Sequence, residues 1–349
     1  MRLQILWVLL AALLLTGCSG TAVVNYDDCD CPEENEQLEQ TPPQSGSSTT
    51  ALKTGLAVIA GVSDSRNAEQ VDYNVTITAV AVDGDGIIRQ CIIDGISAQV
   101  ALDAAGNIAS DITAAVPTKN ELGEAYGMKT YGGATYEWDE QAEALADYAV
   151  GKTAEELQRS ALNAEGYAAA PELATSATIK LDTLVQAVVQ AVNGAQQRGM
   201  QAGDTLQLAV ISSLSGSTSA TAESAGIAQL DSDFAVVSRS GNTISSCYID
   251  SLQAKVTFDA AGTITSDIAA PVPTKNELGE AYGMKAYAGA KYEWNEQAAN
   301  FAAYVTGKTA AEVAGIAIDE GTKPTDADLS TSVTIAIGGF LALIAKAAQ

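Results

Sequence analysis

Two stretches decide how this chain reads: Glu172-Leu-Ala-Thr-Ser-Ala-Thr178 and Asp328-Leu-Ser-Thr-Ser-Val-Thr334. Each ends on a threonine and runs into an apolar pattern. After Thr178 apolar residues fall at Leu181, Leu184, Val185, Val188, Val189 and Val192; after Thr334, at Ile337, Phe340, Leu341, Ile344 and Ala345. That spacing predicts one buried helix face in each place. It puts each threonine at the mouth of a helix, where unpaired N–H groups and the helix dipole favour an anion. A plain N-cap is the other account, because Ser and Thr are common before helices. The residues alone leave the two open.

Working outward, the chain repeats with a constant offset. Thr118 maps onto Thr274 in an identical run, Thr-Lys-Asn-Glu-Leu-Gly-Glu-Ala-Tyr-Gly-Met-Lys. Tyr136-Glu-Trp138 maps onto Tyr292-Glu-Trp294, Cys91 onto Cys247 and Thr178 onto Thr334. Two long copies argue for a duplicated domain over a solenoid of short units. The expected fold is α+β: two tandem copies of one small domain, antiparallel hairpins followed by helices, spanning 51–198 and 199–349. Strands are expected at 55–62, then a hairpin of 74–82 with 87–93, then a second hairpin of 98–102 with 108–111. The second copy repeats them at 206–211, 227–237, 243–249, 254–258 and 263–267. Capping boxes at Thr118–Glu121, Thr153–Glu156 and Thr309–Glu312 open helices, and 137–148 reads as a helix with Trp138, Ala142, Leu145 and Ala149 on one face.

Composition narrows the function classes. The chain has 349 residues, a net charge of −25 and no histidine. A nucleic-acid partner is not expected, since phosphate backbones need clustered Lys and Arg. Without histidine there is no Cys-x-x-Cys-His haem site, no His-based zinc site and no His-based catalytic triad. No carboxylate pair is spaced for acid–base hydrolysis. Gly151-Lys-Thr153 is not a phosphate-binding loop, because Ala146 stands where the first glycine belongs. Cys91 and Cys247 read as small buried hydrophobes.

The amino-terminal end reads as a targeting segment, 1–17, with Arg2 followed by an apolar run too short to span a membrane. Leu15-Thr16-Gly17-Cys18 resembles a bacterial lipobox, which implies cleavage before Cys18 and acylation of that cysteine. Residues 18–50 form an acidic, Pro/Ser/Thr-rich linker that buries too little apolar area to fold. As a flexible coil it would span roughly 30 Å. Cys29 and Cys31 lie within it.

The threonine stretches resemble the flavinylation motif of FMN-binding domains: Asp, two residues, Ser or Thr, Gly, Ala, Thr. Asp328, Thr331 and Thr334 match, with Ser332 for Gly and Val333 for Ala. Thr175, Ala177 and Thr178 match, with Glu172 for Asp and Ser176 for Gly. In that family a flavin transferase joins FMN to the final threonine through a phosphoester. Gly132-Gly-Ala-Thr135 mimics the motif's end, but its counterpart closes on Lys291. With the lipobox, linker and tandem copies, the chain resembles the flavinylated surface lipoproteins of Gram-positive extracellular electron transfer. The resemblance implies FMN on each copy and a lipid anchor on the outer side of the cell membrane. It also implies reduction by a membrane-bound quinone- or flavin-linked donor, and extracellular electron acceptors. The chain would be an electron carrier, not an enzyme.

Eight of the twelve tyrosines lie in the repeated helical segments. Tyr131, Tyr136, Tyr287 and Tyr292 divide evenly between core packing and stacking on the flavin ring, whereas Trp138 and Trp294 read as core. The competing class is a cofactor-free surface binding or adhesion lipoprotein. Should only one threonine be used, Thr334 is expected, since it retains Asp328.

Overall fold

The computed structural model describes residues 51–65 and 70–349, all within one compact unit, Ser48–Gln349. The targeting segment, Cys18, Cys29, Cys31 and the acidic linker lie outside the described residues. The fold is α+β with antiparallel sheets.

Long antiparallel strands come first: β1 (Ala51–Ser65), β2 (Gln70–Val82) and β3 (Ile88–Ala101). Short helices follow: α1 (Lys119–Leu122), a 3-10 turn (Gly123–Tyr126), α2 (Met128–Gly132), α3 (Trp138–Ala149), α4 (Ala154–Ser160), α5 (Pro171–Ala174) and α6 (Asp182–Asn193). Strand β4 (Gln196–Gln201) leads into the second repeat, with β5 (Thr205–Ser213), β6 (Gly226–Ser240) and β7 (Thr243–Phe258). Its helices are α7 (Lys275–Leu278), a 3-10 turn (Gly279–Tyr282), α8 (Met284–Ala288), α9 (Trp294–Val305), α10 (Ala310–Ala314), α11 (Ala327–Ser330) and α12 (Gly338–Ala347). The sheet orders are β3-β2-β1-β4 and β5-β6-β7.

The period of two along β2 explains the layering. Val71, Tyr73, Val75 and Ile77 point into a core shared with Val210, Leu230, Phe234, Val256 and Phe258 of the other sheet. Val80 and Val82 point the other way, into a core closed by α3, α4 and α6. The second repeat builds its matching helix core around Val237, Trp294, Phe301 and Phe340. The two sheets therefore meet face to face, with helices on their outer faces. Residues 72, 74 and 76 are partly or fully exposed, so the helices cover only one half of each strand's outer face.

Two expectations need correction. The segments read as separate arms, 87–93 and 98–102, are one strand, β3, and 243–249 and 254–258 are one strand, β7. What remains of each second hairpin is a single bridge, Leu102 to Ile108 and Phe258 to Ile264. The cause lies at Asp94 and Asp250. Each carboxylate turns back onto its own sheet, accepting from the next backbone N–H and from that of Asn120 or Asn276. The Asp94-Gly95 pair thus pins a helix instead of making a turn, and its counterpart is Asp250-Ser251.

Several residues of the identical run have a visible role. Thr118 and Glu121 close a capping box on α1, as Thr274 and Glu277 do on α7. Asn120 and Asn276 donate to Ile93 O and Ile249 O. Lys119 lies 4.7 Å over the Trp138 ring and Lys275 4.9 Å over Trp294. Gly127 and Gly283 take φ of 84° and 83°, which favours glycine. Trp138 and Trp294 are core residues, as expected. Cys91 and Cys247 are free, and burial pushes both thiols up to about 12, so neither is a thiolate at neutral pH.

Candidate functional site

Both motif threonines are exposed, each in a loop between a one-turn helix and a longer one. They are not caps, which corrects the plain N-cap account: each stands three residues before the N-cap of the helix that follows. Helix α6 begins after an N-cap at Leu181 and α12 after one at Ile337. Those residues donate backwards, Leu181 N–H to Gly166 O and Ile337 N–H to Thr322 O. Among the described residues no side chain caps either helix, so their first-turn N–H groups have no side-chain acceptor there.

What fixes each threonine is a buried glutamine that the motif reading missed. Gln141, fully buried in α3, accepts at Oε1 from Thr178 N–H (2.8 Å), Thr178 Oγ1–H (3.2 Å) and Ile179 N–H (3.1 Å). Gln297 in α9 repeats this with Thr334 N–H (2.8 Å), Thr334 Oγ1–H (3.1 Å) and Ile335 N–H (3.2 Å). The other end of each amide donates to Tyr136 O or Tyr292 O. The available signal was a glutamine on the apolar face of each predicted helix, kept in both copies.

Gln141 also reaches the Met128 sulfur at 4.0 Å, as Gln297 does that of Met284. Helix α2 is further tied to the start of α3 by the buried Glu137, which accepts from Met128 and Lys129 N–H; Glu293 does the same for α8. So the first turn of α3 carries both the Thr178 loop and α2. On α2 stands Tyr131, 87 % exposed, and on α8 Tyr287, 90 % exposed. These rings lie across Gly127 and Gly283, where an added Cβ would sit within 2.5 Å and 2.4 Å of them. Tyr136 and Tyr292 are half-buried, the latter with Lys291 4.8 Å over its ring.

The rest of each motif serves the loop. Thr175 and Thr331 donate to Glu172 O and Asp328 O. Ala177 and Val333 are buried, which anchors the loop from below. Ser332 donates to Leu329 O, and its carbonyl accepts from Asn300. Ser176 is half-buried, and Glu172 and Asp328 are exposed.

Chemically, the site presents a hydroxyl, on an exposed residue, whose proton is held by an uncharged amide oxygen. The residues fit an attached phosphoester: the threonine is exposed, an uncapped helix start follows it, and an exposed aromatic shares its support. None of the cavities described below is lined by Thr178 or Thr334. Among the described residues there is no group of three metal-binding side chains, and no helix is long and apolar enough to cross a membrane. No family model, curated protein or solved structure matches the chain.

Proposed function

We propose that this chain is a cell-surface electron-transfer lipoprotein: two tandem copies of one FMN-binding-like domain, tethered through Cys18. A flavin transferase esterifies Thr178 and Thr334. A membrane quinone- or flavin-linked donor reduces the flavins, and extracellular acceptors oxidise them. The observation that carries this reading is the pair of exposed hydroxyls, each held through Oγ1 and two backbone N–H groups by a buried glutamine.

Bound FMN supplies the redox chemistry; the protein's share is attachment, orientation and tuning. Gln141 and Gln297 orient the hydroxyl by accepting its proton in a hydrogen bond; as Oγ1 bonds to the flavin phosphorus, the phosphoanhydride bond of a flavin dinucleotide donor breaks, the nucleotide monophosphate leaves and the proton passes to solvent. The two backbone N–H bonds to each glutamine do not depend on that proton and keep the loop in place afterwards. Tyr131 and Tyr287 are the rings best exposed for stacking on a flat cofactor. A phosphoester suits a protein outside the cell, where a dissociated cofactor would be lost.

The test is production with a flavin transferase, followed by denaturing gels read by flavin fluorescence. Thr178→Ala and Thr334→Ala should each remove one of two labelled positions, and the double variant should be dark. A fluorescent double variant, or a dark parent protein, overturns the reading in favour of a cofactor-free binding lipoprotein.

A further inference from the structure

A cavity of about 490 Å³ opens between β4, β7 and α9. That volume suits a one- or two-ring organic molecule. Arg198 is the one charged residue in its lining. The guanidinium lies 4.1 Å over the Tyr248 ring and donates one N–H to Thr54 O. Among the described residues it has no carboxylate partner, in a chain with 43 acidic and 18 basic residues. A half-buried guanidinium without a counter-ion is costly, and an incoming anion would offset that cost. The placement depends on Gly199: a Cβ there would meet Ser245 O at 2.3 Å, so only glycine lets β4 approach β7 this closely.

A second polar group is unsatisfied in the same lining. Asn295 Oδ1 is shut off from solvent and accepts no hydrogen bond among the described residues, as is Asp139 Oδ1 at the matching position of the first repeat, so this oxygen does not open onto the cavity and does not tell the two repeats apart. Neighbouring Asn276 is already engaged, donating to Ile249 O and Tyr248 Oη.

The first repeat provides an internal control. Its equivalent cavity, about 320 Å³, is lined by Cys91, Asn120, Asp139, Glu143 and Asp147. The counterparts of those three acids are Asn295, Ala299 and Ala303. The second repeat therefore lacks every carboxylate from this wall of the helix and gains Arg198 opposite. The cavity is also separate from the threonine site. At about 100° per residue, Gln297 lies on the far side of α9 from Asn295 and Ala299.

We propose that this cavity binds a small planar organic anion, specifically an aromatic carboxylate. The carboxylate pairs with the N–H edge of Arg198 not used by Thr54. The ring lies against Ile249 and Ala302. The proposal does not rest on flavin attachment.

The test uses the full chain made without a flavin transferase and titrated by calorimetry with a naphthoate and the matching naphthamide. The acid should bind saturably, and the amide roughly tenfold more weakly or worse. Ala299→Glu with Ala303→Asp, both at exposed positions, should weaken acid binding by about tenfold or more with an unchanged melting temperature. Arg198→Gln should do the same; if that variant does not fold, the double variant carries the test. No saturable binding of the acid, equal binding of acid and amide, or a double variant that binds like the parent would overturn the proposal.

Discussion

Gln297 is the residue on which the second threonine loop turns. Replacing it with leucine keeps the volume and removes the acceptor of two backbone N–H groups and a hydroxyl. Stability should fall by about 2 kcal/mol in urea denaturation, the cost of orphaned donors that water only partly reaches. Flavin attachment at Thr334 should fall with it. A second residue-scale prediction comes from Thr322, which holds φ of 58°, whereas Gly166 fills the same place in the first repeat at φ of 87°. A β-branched residue in that region is strained by about 1–2 kcal/mol. Thr322→Gly should therefore raise stability by about 1 kcal/mol after the entropy cost of glycine, and Gly166→Thr should lower it by a similar amount. Thermal melts of the pair would check both signs. Neither residue was legible beforehand. A glutamine among apolar positions looks like noise until the loop it holds is seen, and a backbone angle leaves no trace in composition.

Strand β7 and helix α7 are joined by Asp250, whose carboxyl burial pushes up to about 6 against opposing hydrogen bonds from Asn276, Ser251 and Thr274. The folded value lies above the ordinary carboxylate range. Its contribution to stability is therefore complete below pH ~4 and is lost as pH rises through about 6. The loss is of order 2–3 kcal/mol. Asp250→Asn keeps an acceptor for both N–H groups and cannot ionise. Urea denaturation from pH 4 to 7 should show a flatter slope in the variant than in the parent; equal slopes would refute the assignment. Asp94 is raised in the same direction for the same reason. At this scale much could be read in advance. The capping boxes at Thr118, Thr153, Thr274 and Thr309 all form, because their chemistry is local. The strand break expected near Asp94-Gly95 was wrong, because that carboxylate spends its hydrogen bonds on a helix far along the chain.

For the whole molecule, the shared core between the sheets is the governing feature. Phe234 and Phe258 of one repeat and Tyr73 and Ile77 of the other are almost wholly buried there. An ion pair from Lys346 on α12 to Glu121 on α1 adds a cross-repeat contact. Because neither sheet has its inner face covered without the other, the described residues should unfold together. Scanning calorimetry should give a van't Hoff enthalpy equal to the calorimetric one. Two resolved transitions, or a ratio near one half, would mean that the repeats fold independently. The duplication was plain in the sequence, but the face-to-face packing was not. Alternating apolar residues mark a buried face without saying what covers it.

The central claim is a covalent bond at two hydroxyls, and intact mass measures it most directly. The chain produced with a flavin transferase should gain the mass of two esterified FMN groups. Peptide mapping should place one on the peptide holding Thr178 and one on that holding Thr334. A chain with unmodified peptides at both positions would contradict the account.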